Sequence, residues 1–473
     1  MNTRTGSEIT KQRYWVLGAV MCGSILGPID GSIVNVILPT IARDFNAPLA
    51  RVEWVPMVYL LVVASLLLVF GRLGDMVGYR RIFCSGLAGF AVASGLCALS
   101  PGIHWLIAFR GVQGLAAAMM MSMPFALITS AFPPWERGKA LGIYAISISL
   151  GLAGGPSLGG FLTAWFGWRS AFLVNVPIGL AAWLWSLRIL PSGTKGRGRL
   201  DIAGGVSLFA AMSSSLVAVN RVQTGRWDVM ETILTGIALT AWVVFFSVEL
   251  RSSEPILDVS VFKNRTFTLA SAASLFNFIA QFVMVFLVPF YLARLLHEPA
   301  DRVGLIMTAI PLAVLAVAPF SGALSDHVGT RLPAVAGALV LTISLGLMAT
   351  IPSGASVFQA VWRLALFGVG AGIFQSPNNS AIMGSTEGRR LGVASSLVAT
   401  VRNVGMVAGI ALGGILLYAV TPARVLALTF LSGETARAFL HGLRWAFAGG
   451  SAAALMAALA SMARPGSRRI RHV

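Results

Sequence analysis

The chain has 473 residues, of which 56% are hydrophobic and only 11% charged, and its mean hydropathy is +0.81. No ordinary soluble domain has that composition, which leaves a polytopic membrane protein. The net charge of +18 would suit a nucleic-acid binder, but the basic residues fall in short gaps between apolar runs and read as topology signals. Cys22, Cys84 and Cys97 all lie in apolar stretches and imply neither a disulfide framework nor a metal site.

A helix needs about 20 apolar residues to cross the hydrocarbon. On that measure fourteen spans are expected, at roughly 15–38, 54–73, 82–100, 104–128, 139–162, 170–190, 202–220, 232–250, 267–293, 303–325, 332–351, 358–381, 391–418 and 443–463. The first run carries Asp30 and Pro39 in place of a small-residue cleavage site, so it is expected to remain as a span. Lys and Arg are more than twice as frequent on the side holding both chain ends, which predicts cytoplasmic termini in a cell-membrane protein and requires an even number of spans.

An internal repeat organises these spans. Gly71-Arg-Leu-Gly-Asp75-Met-Val-Gly78-Tyr-Arg80 aligns without gaps to Gly322-Ala-Leu-Ser-Asp326-His-Val-Gly329-Thr-Arg331, and each copy follows the second span of a six-span block. Arg110 and Arg363 likewise both open a fourth span. The expected all-α architecture is therefore an N-terminal six-helix bundle (1–190), a linker with two extra transmembrane helices (191–266), and a C-terminal six-helix bundle with a tail (267–473).

Within this frame a few polar positions stand out. Asp30 is the one carboxylate placed deep in a span, where an acid costs roughly 2.5 to 3.5 kcal/mol on insertion-derived scales, and such a group is a functional candidate by default. Gly23, Gly27 and Gly31 recur every four residues beside it and are expected to make a flat seam for helix packing. Arg110, in Arg110-Gly-Val-Gln113-Gly114, needs a partner in hydrocarbon, with Asp30 the nearest candidate by depth and a helix carbonyl or snorkelling to the interface as the alternatives. Gly71, Arg72, Gly74, Asp75, Gly78, Arg80 and Arg81 form a charged corner between two helices, with Asp326 and Arg331 in the second copy. Gly151, Gly155, Pro156, Gly159 and Gly160 in the fifth span suit either a hinge or a tight packing seam.

The Gly71 to Arg81 corner and its repeat resemble the major facilitator superfamily over nearly the whole chain. The Asp30 to Pro39 stretch, Arg110-x-x-Gln113-Gly114 and the Gly155-Pro156 motif are similar to those of its fourteen-span drug:proton antiporters. The resemblance implies a transporter working by alternating access, not an enzyme, exporting hydrophobic or cationic molecules, with lipids or endogenous metabolites as the alternative cargo. It implies proton carriage by Asp30 with Arg110, a gating latch of Asp75 with Arg72 and Arg80 that holds the outward-facing state, and an antiporter hinge at Gly155-Pro156.

Asn35, Gln113, Met120, Asn277, Gln281, Phe374, Gln375, Asn378 and Arg402 are candidates for a substrate cavity, because they mix apolar surface with amides and one cation. The absence of an acid around Arg402 weighs against dicationic substrates. The expected partners are a small-molecule substrate, protons and membrane lipid, with no nucleic acid and a monomeric state. No cofactor or metal is expected, because no Walker loop or zinc-ligand cluster occurs.

Overall fold

A backbone crossing hydrocarbon must satisfy its own hydrogen bonds, which leaves helices as the solution for an apolar chain without strand alternation. The computed structural model describes residues 6–133, 136–191, 201–222, 229–251, 263–385, 391–428 and 431–465. The first bundle contains α1 (Gly6–Ser24), α2 (Leu26–Asp44), α3 (Leu49–Val52), α4 (Trp54–Val77), α5 (Tyr79–Ala98), α6 (Ile103–Met121), α7 (Pro124–Ala131), α8 (Arg137–Phe166), α9 (Ser170–Leu173) and α10 (Asn175–Ile189). A hairpin of α11 (Ile202–Val222) and α12 (Val229–Arg251) follows. The second bundle contains α13 (Arg265–Arg294), α14 (Ala300–Met307), α15 (Ala309–Val328), α16 (Arg331–Ala349), α17 (Val357–Gly384), α18 (Leu391–Val420), α19 (Ala423–Ala427) and α20 (Gly433–Met462).

Several spans are interrupted for one local reason. The breaks at Ile25, Glu53, Val174 and Thr308 each stand three residues before a proline, at Pro28, Pro56, Pro177 and Pro311. Each proline lacks the N–H that would bond the carbonyl four residues earlier, so the ladder slips there without ending the span. Among the described residues, thirteen stretches are long and apolar enough to cross a membrane. The seventh expected span falls on α11, which carries the apolar stretch Ala203–Ala218. It packs with α12 and lies against α4, where Ser65 Oγ meets Met212 Sδ at 3.2 Å.

The repeat read from the sequence has a geometric counterpart. Gly78 closes α4 at φ 106° and Gly329 closes α15 at φ 84°, each donating its N–H to the carbonyl four residues earlier. Eight residues beyond each turn stands a glycine at a helix crossing: Gly86 lies against the backbone of α6 at Met120, and Gly337 against the backbone of α17 at Phe374. A side chain at Gly78 would be strained whatever the space around it. We expect Gly78→Ala to cost about 1–3 kcal/mol, read as a lowered melting temperature of purified protein, whereas Gly71→Ala meets nothing within 4 Å and should be nearly neutral.

Among the described residues three further acids are buried, none of them in the middle of a span: Glu53 is 0%, Glu231 4% and Glu249 2% exposed. Glu53 sits at a helix break and the other two lie near the ends of α12, where tertiary packing covers positions that hydropathy assigns to span edges.

The bundles meet most closely at the membrane face opposite the Gly78 and Gly329 turns. There Gly160 of α8 lies against Ala300 and Gly304 of α14, and Gly304 in turn against the Pro156 carbonyl. Ser157 Oγ and Thr308 Oγ1 share a hydrogen bond at 2.5 Å across the same crossing. α4 also packs on α18, and α2 on α13.

Candidate functional site

The slip at Ile25 starts α2 one turn before Asp30, and two faces of that helix are then used differently. Ile29, Ser32 and Ile33 face α8, where Gly155 lies against Ser32 and the Ile29 carbonyl, Gly159 against Ile33, and Gly151 against Ile25 and Pro28. Asp30 turns instead into the bundle. Its Oδ2 accepts from Arg110 Nη1 at 2.6 Å, and its Oδ1 accepts from Gln113 Nε2 at 3.0 Å and Asn175 Nδ2 at 2.9 Å. The carboxylate and the guanidinium are each only 1% exposed.

Arg110 is held on every side. Its Nη1 also donates to Gln113 Oε1 at 2.6 Å, its Nε donates to the Val55 carbonyl at 3.2 Å, and the guanidinium lies 4.2 Å from the Tyr59 ring centroid. Gln113 completes its own set by donating to Ser94 Oγ at 2.9 Å. Five helices, α2, α4, α5, α6 and α10, thus converge on one ion pair. Of its two expected partners, Arg110 takes both, the Asp30 carboxylate and a helix carbonyl.

Sequence reasoning missed Asn175, Ser94 and Tyr59, which lie in separate spans with no motif to link them. The one available signal for Asn175 was an amide in the apolar run Phe172-Leu-Val-Asn175-Val-Pro177. Its Nδ2 holds Asp30 while its Oδ1 is buried without a partner among the described residues. The pseudo-equivalent Arg363 has no such acid. It donates to the Leu347 carbonyl at 3.2 Å and the Gln359 carbonyl at 2.7 Å and stacks on Trp362.

Other expectations are redistributed. Gly23 abuts Phe83 and Leu87, and Gly27 abuts Met121, but Gly31 has nothing within 4 Å, so the expected flat seam does not extend to it. α8 runs unbroken through Pro156, and its glycines form a packing seam. In α18, Gly405 and Gly409 seat the helix on Leu275, Phe278 and Ile279 of α13 in the same way.

At the charged corner, Asp75 accepts from Tyr79 Oη at 2.7 Å in place of an arginine, because the left-handed turn at Gly78 folds Tyr79 back over it. Arg80 reaches the Leu187 carbonyl at the end of α10. Arg72 and Arg81 lie at the same corner, on α4 and α5. The side chain of Asp326 lies outside the described residues. Arg331 is exposed near Arg464, whose own burial, with Arg331 adding to it, lowers its guanidinium pKa to about 10.

Three cavity candidates turn out to be packing residues. Met120 is 0% exposed beside Gly27 and Gly86, Phe374 fills the crossing at Gly337, and Gln113 belongs to the ion pair. Asn378 ties helices together, donating to the Ala270 carbonyl at 3.1 Å and accepting from Arg464 Nη1 at 3.2 Å. Gln375 is half-buried. Asn35 Oδ1, both amide atoms of Asn277, Gln281 Nε2 and Arg402 Nε are buried without partners among the described residues.

At the closed end a cavity of about 780 Å³ lies between the bundles, lined by Thr40, Arg43, Asn46, Thr163, Arg294, His297 and Glu298 among others.

The chain matches the Major Facilitator Superfamily over residues 20–410 and 269–471. It is 34% identical to the riboflavin transporter RibZ of Clostridioides difficile, over 85% of this chain and 87% of the relative. It is 32% identical to the multidrug resistance protein Stp of Mycobacterium tuberculosis, over 83% and 73% respectively. A bacterial homologue of the human lysosomal transporter Spinster, solved inward-facing and unoccupied, shares the fold with a TM-score of 0.68 at 18% identity, covering 95% of this chain and 97% of that one. Two pseudo-symmetric bundles of apolar helices with a two-helix hairpin between them, and similarity over most of its length to named transporters, place this multi-pass membrane protein in the major facilitator superfamily.

Proposed function

We propose that the protein exports small hydrophobic molecules in exchange for protons by alternating access, from a cytoplasmic membrane with both termini inside. With that orientation the crossing of Gly160 with Gly304 faces outward. At the Asp75 corner Arg80 bonds the Leu187 carbonyl, which leaves Asp75 to Tyr79.

The observation that carries this reading is the sealed Asp30 carboxylate with three donors. A protonated Asp30 would need an acceptor where donors now stand. Rotating the Asn175 amide would present its unpartnered Oδ1 to the new O–H, releasing one bond between α10 and α2. Proton uptake is thereby tied to the contact between two helices, and α2 carries any shift to α8 through the glycine seam. Arg110 holds the other carboxylate oxygen at 2.6 Å and loses its counter-charge when Asp30 takes up a proton.

In proteoliposomes with an imposed pH gradient, the wild type should accumulate or expel substrate in proportion to that gradient. Asp30→Asn should reduce gradient-driven flux at least a hundredfold while leaving substrate exchange, and Asn175→Ala should move the pH profile without abolishing transport. Undiminished gradient-driven flux in Asp30→Asn would sink the proposal. Transport of an endogenous metabolite is a second reading, favoured by similarity to a protein named as a riboflavin transporter. Competition by riboflavin in the same vesicles separates the two.

A further inference from the structure

Within the proposed transport reading, we infer that the substrate is an aromatic organic anion and that Arg402 is the residue that selects it. Arg402 lies roughly 16 Å along α18 from Leu391, near the middle of a core about 30 Å thick. It is half-buried, its Nε is fully buried, and among the described residues it finds no hydrogen-bond acceptor. An Nε N–H withdrawn from water without an acceptor is costly, so a partner for this guanidinium is implied.

The surroundings define that partner's chemistry. Across the bundle interface Arg402 lies within electrostatic reach of the Tyr144 hydroxyl on α8, and Tyr144 packs edge-on against Phe125 with centroids 6.3 Å apart. Tyr144, with Phe125 beside it, thus places aromatic side chains of the other bundle in the neighbourhood of this cation.

Counter-charges within the protein are scarce. α8, α13 and α18, which take part in the contacts between bundles, contain no aspartate or glutamate. Asp30 already accepts three hydrogen bonds, one of them from Arg110. A lipophilic cation would find no acid here to neutralise it, whereas a carboxylate or sulfonate could take a bidentate bond from Arg402.

The outer cavity repeats the pattern independently. Its lining holds Arg43, Arg294 and His297 against one acid, Glu298, which pairs with Arg302 at 3.5 Å. Both the mid-membrane site and the outward exit thus carry excess positive charge, which attracts an anion along the path and repels a cation. A hydrophobic cargo bearing a negative charge fits this path, and the cationic cargo that the resemblance also implied does not.

The test uses purified full-length protein without any proton gradient, so that an uncoupled or non-exporting protein still reports on Arg402. Thermal stabilisation is measured with fluorescein and a naphthalene sulfonate as anions, riboflavin as a neutral ring and ethidium as a cation. We expect the anions to stabilise most, Arg402→Gln to weaken their apparent affinity at least tenfold, and Arg402→Lys to retain part of it. Cooperative melting of Arg402→Gln and an unchanged riboflavin response would show that the variant is folded. Stronger stabilisation by ethidium, unchanged anion affinity in Arg402→Gln, or no response to either anion would each overturn the inference.

Discussion

Arg110→Leu is expected to destabilise the purified protein by about 3–5 kcal/mol, since it leaves the Asp30 carboxylate charged and buried with only two amide donors. Asp30→Asn should cost less, because the new amide oxygen can still accept from Arg110 and the guanidinium keeps Gln113 and the Val55 carbonyl. Combining Asp30→Asn with Arg110→Leu should recover much of the loss, as the unpaired charge is gone and a leucine fills apolar surroundings next to Tyr59 and Phe172. A double-mutant cycle read by chemical denaturation in detergent measures the coupling. If the two single losses simply add, the ion pair is not the energetic centre of the bundle.

Gly160→Leu is expected to remove the closed outer end. A Cβ at that position overlaps the Ala300 backbone, and the facing Gly304 leaves no flexible side chain to yield. Spin labels placed at Thr40 and Ala293, on opposite walls of the outer cavity, should therefore shift to longer separations, with transport falling tenfold or more. Gly154→Leu supplies the control, because the same helix has nothing within 4 Å there. Equal label distances in Gly160→Leu and wild type would show that the crossing does not hold the closure.

Much of the site was readable because membrane insertion makes polar residues expensive. Asp30 and Arg110 announced themselves by cost alone, and the glycines of α8 by their clustering around Pro156. Asn175, Ser94 and Tyr59 carried no such mark, since single amides, hydroxyls and phenols are cheap enough to be scattered through many spans. Met120 and Phe374 were misread as cavity residues for the converse reason: an apolar side chain looks the same in sequence whether it faces a ligand or a neighbouring helix.

By itself the sequence determined the number and order of apolar helices, the pseudo-repeat with its glycine-bearing corners at Gly78 and Gly329, and the acid and the arginine at its centre. These follow from local quantities: hydropathy, backbone freedom and the price of a charge in hydrocarbon. Only the tertiary structure decided that Asp30 is saturated by donors from α6 and α10, that the α8 glycines serve as a seam in this state, and that Arg402 Nε is buried without a partner among the described residues. Each of those depends on which residues far apart in the chain come within a few ångströms, and that proximity is set by helix crossings no local pattern records.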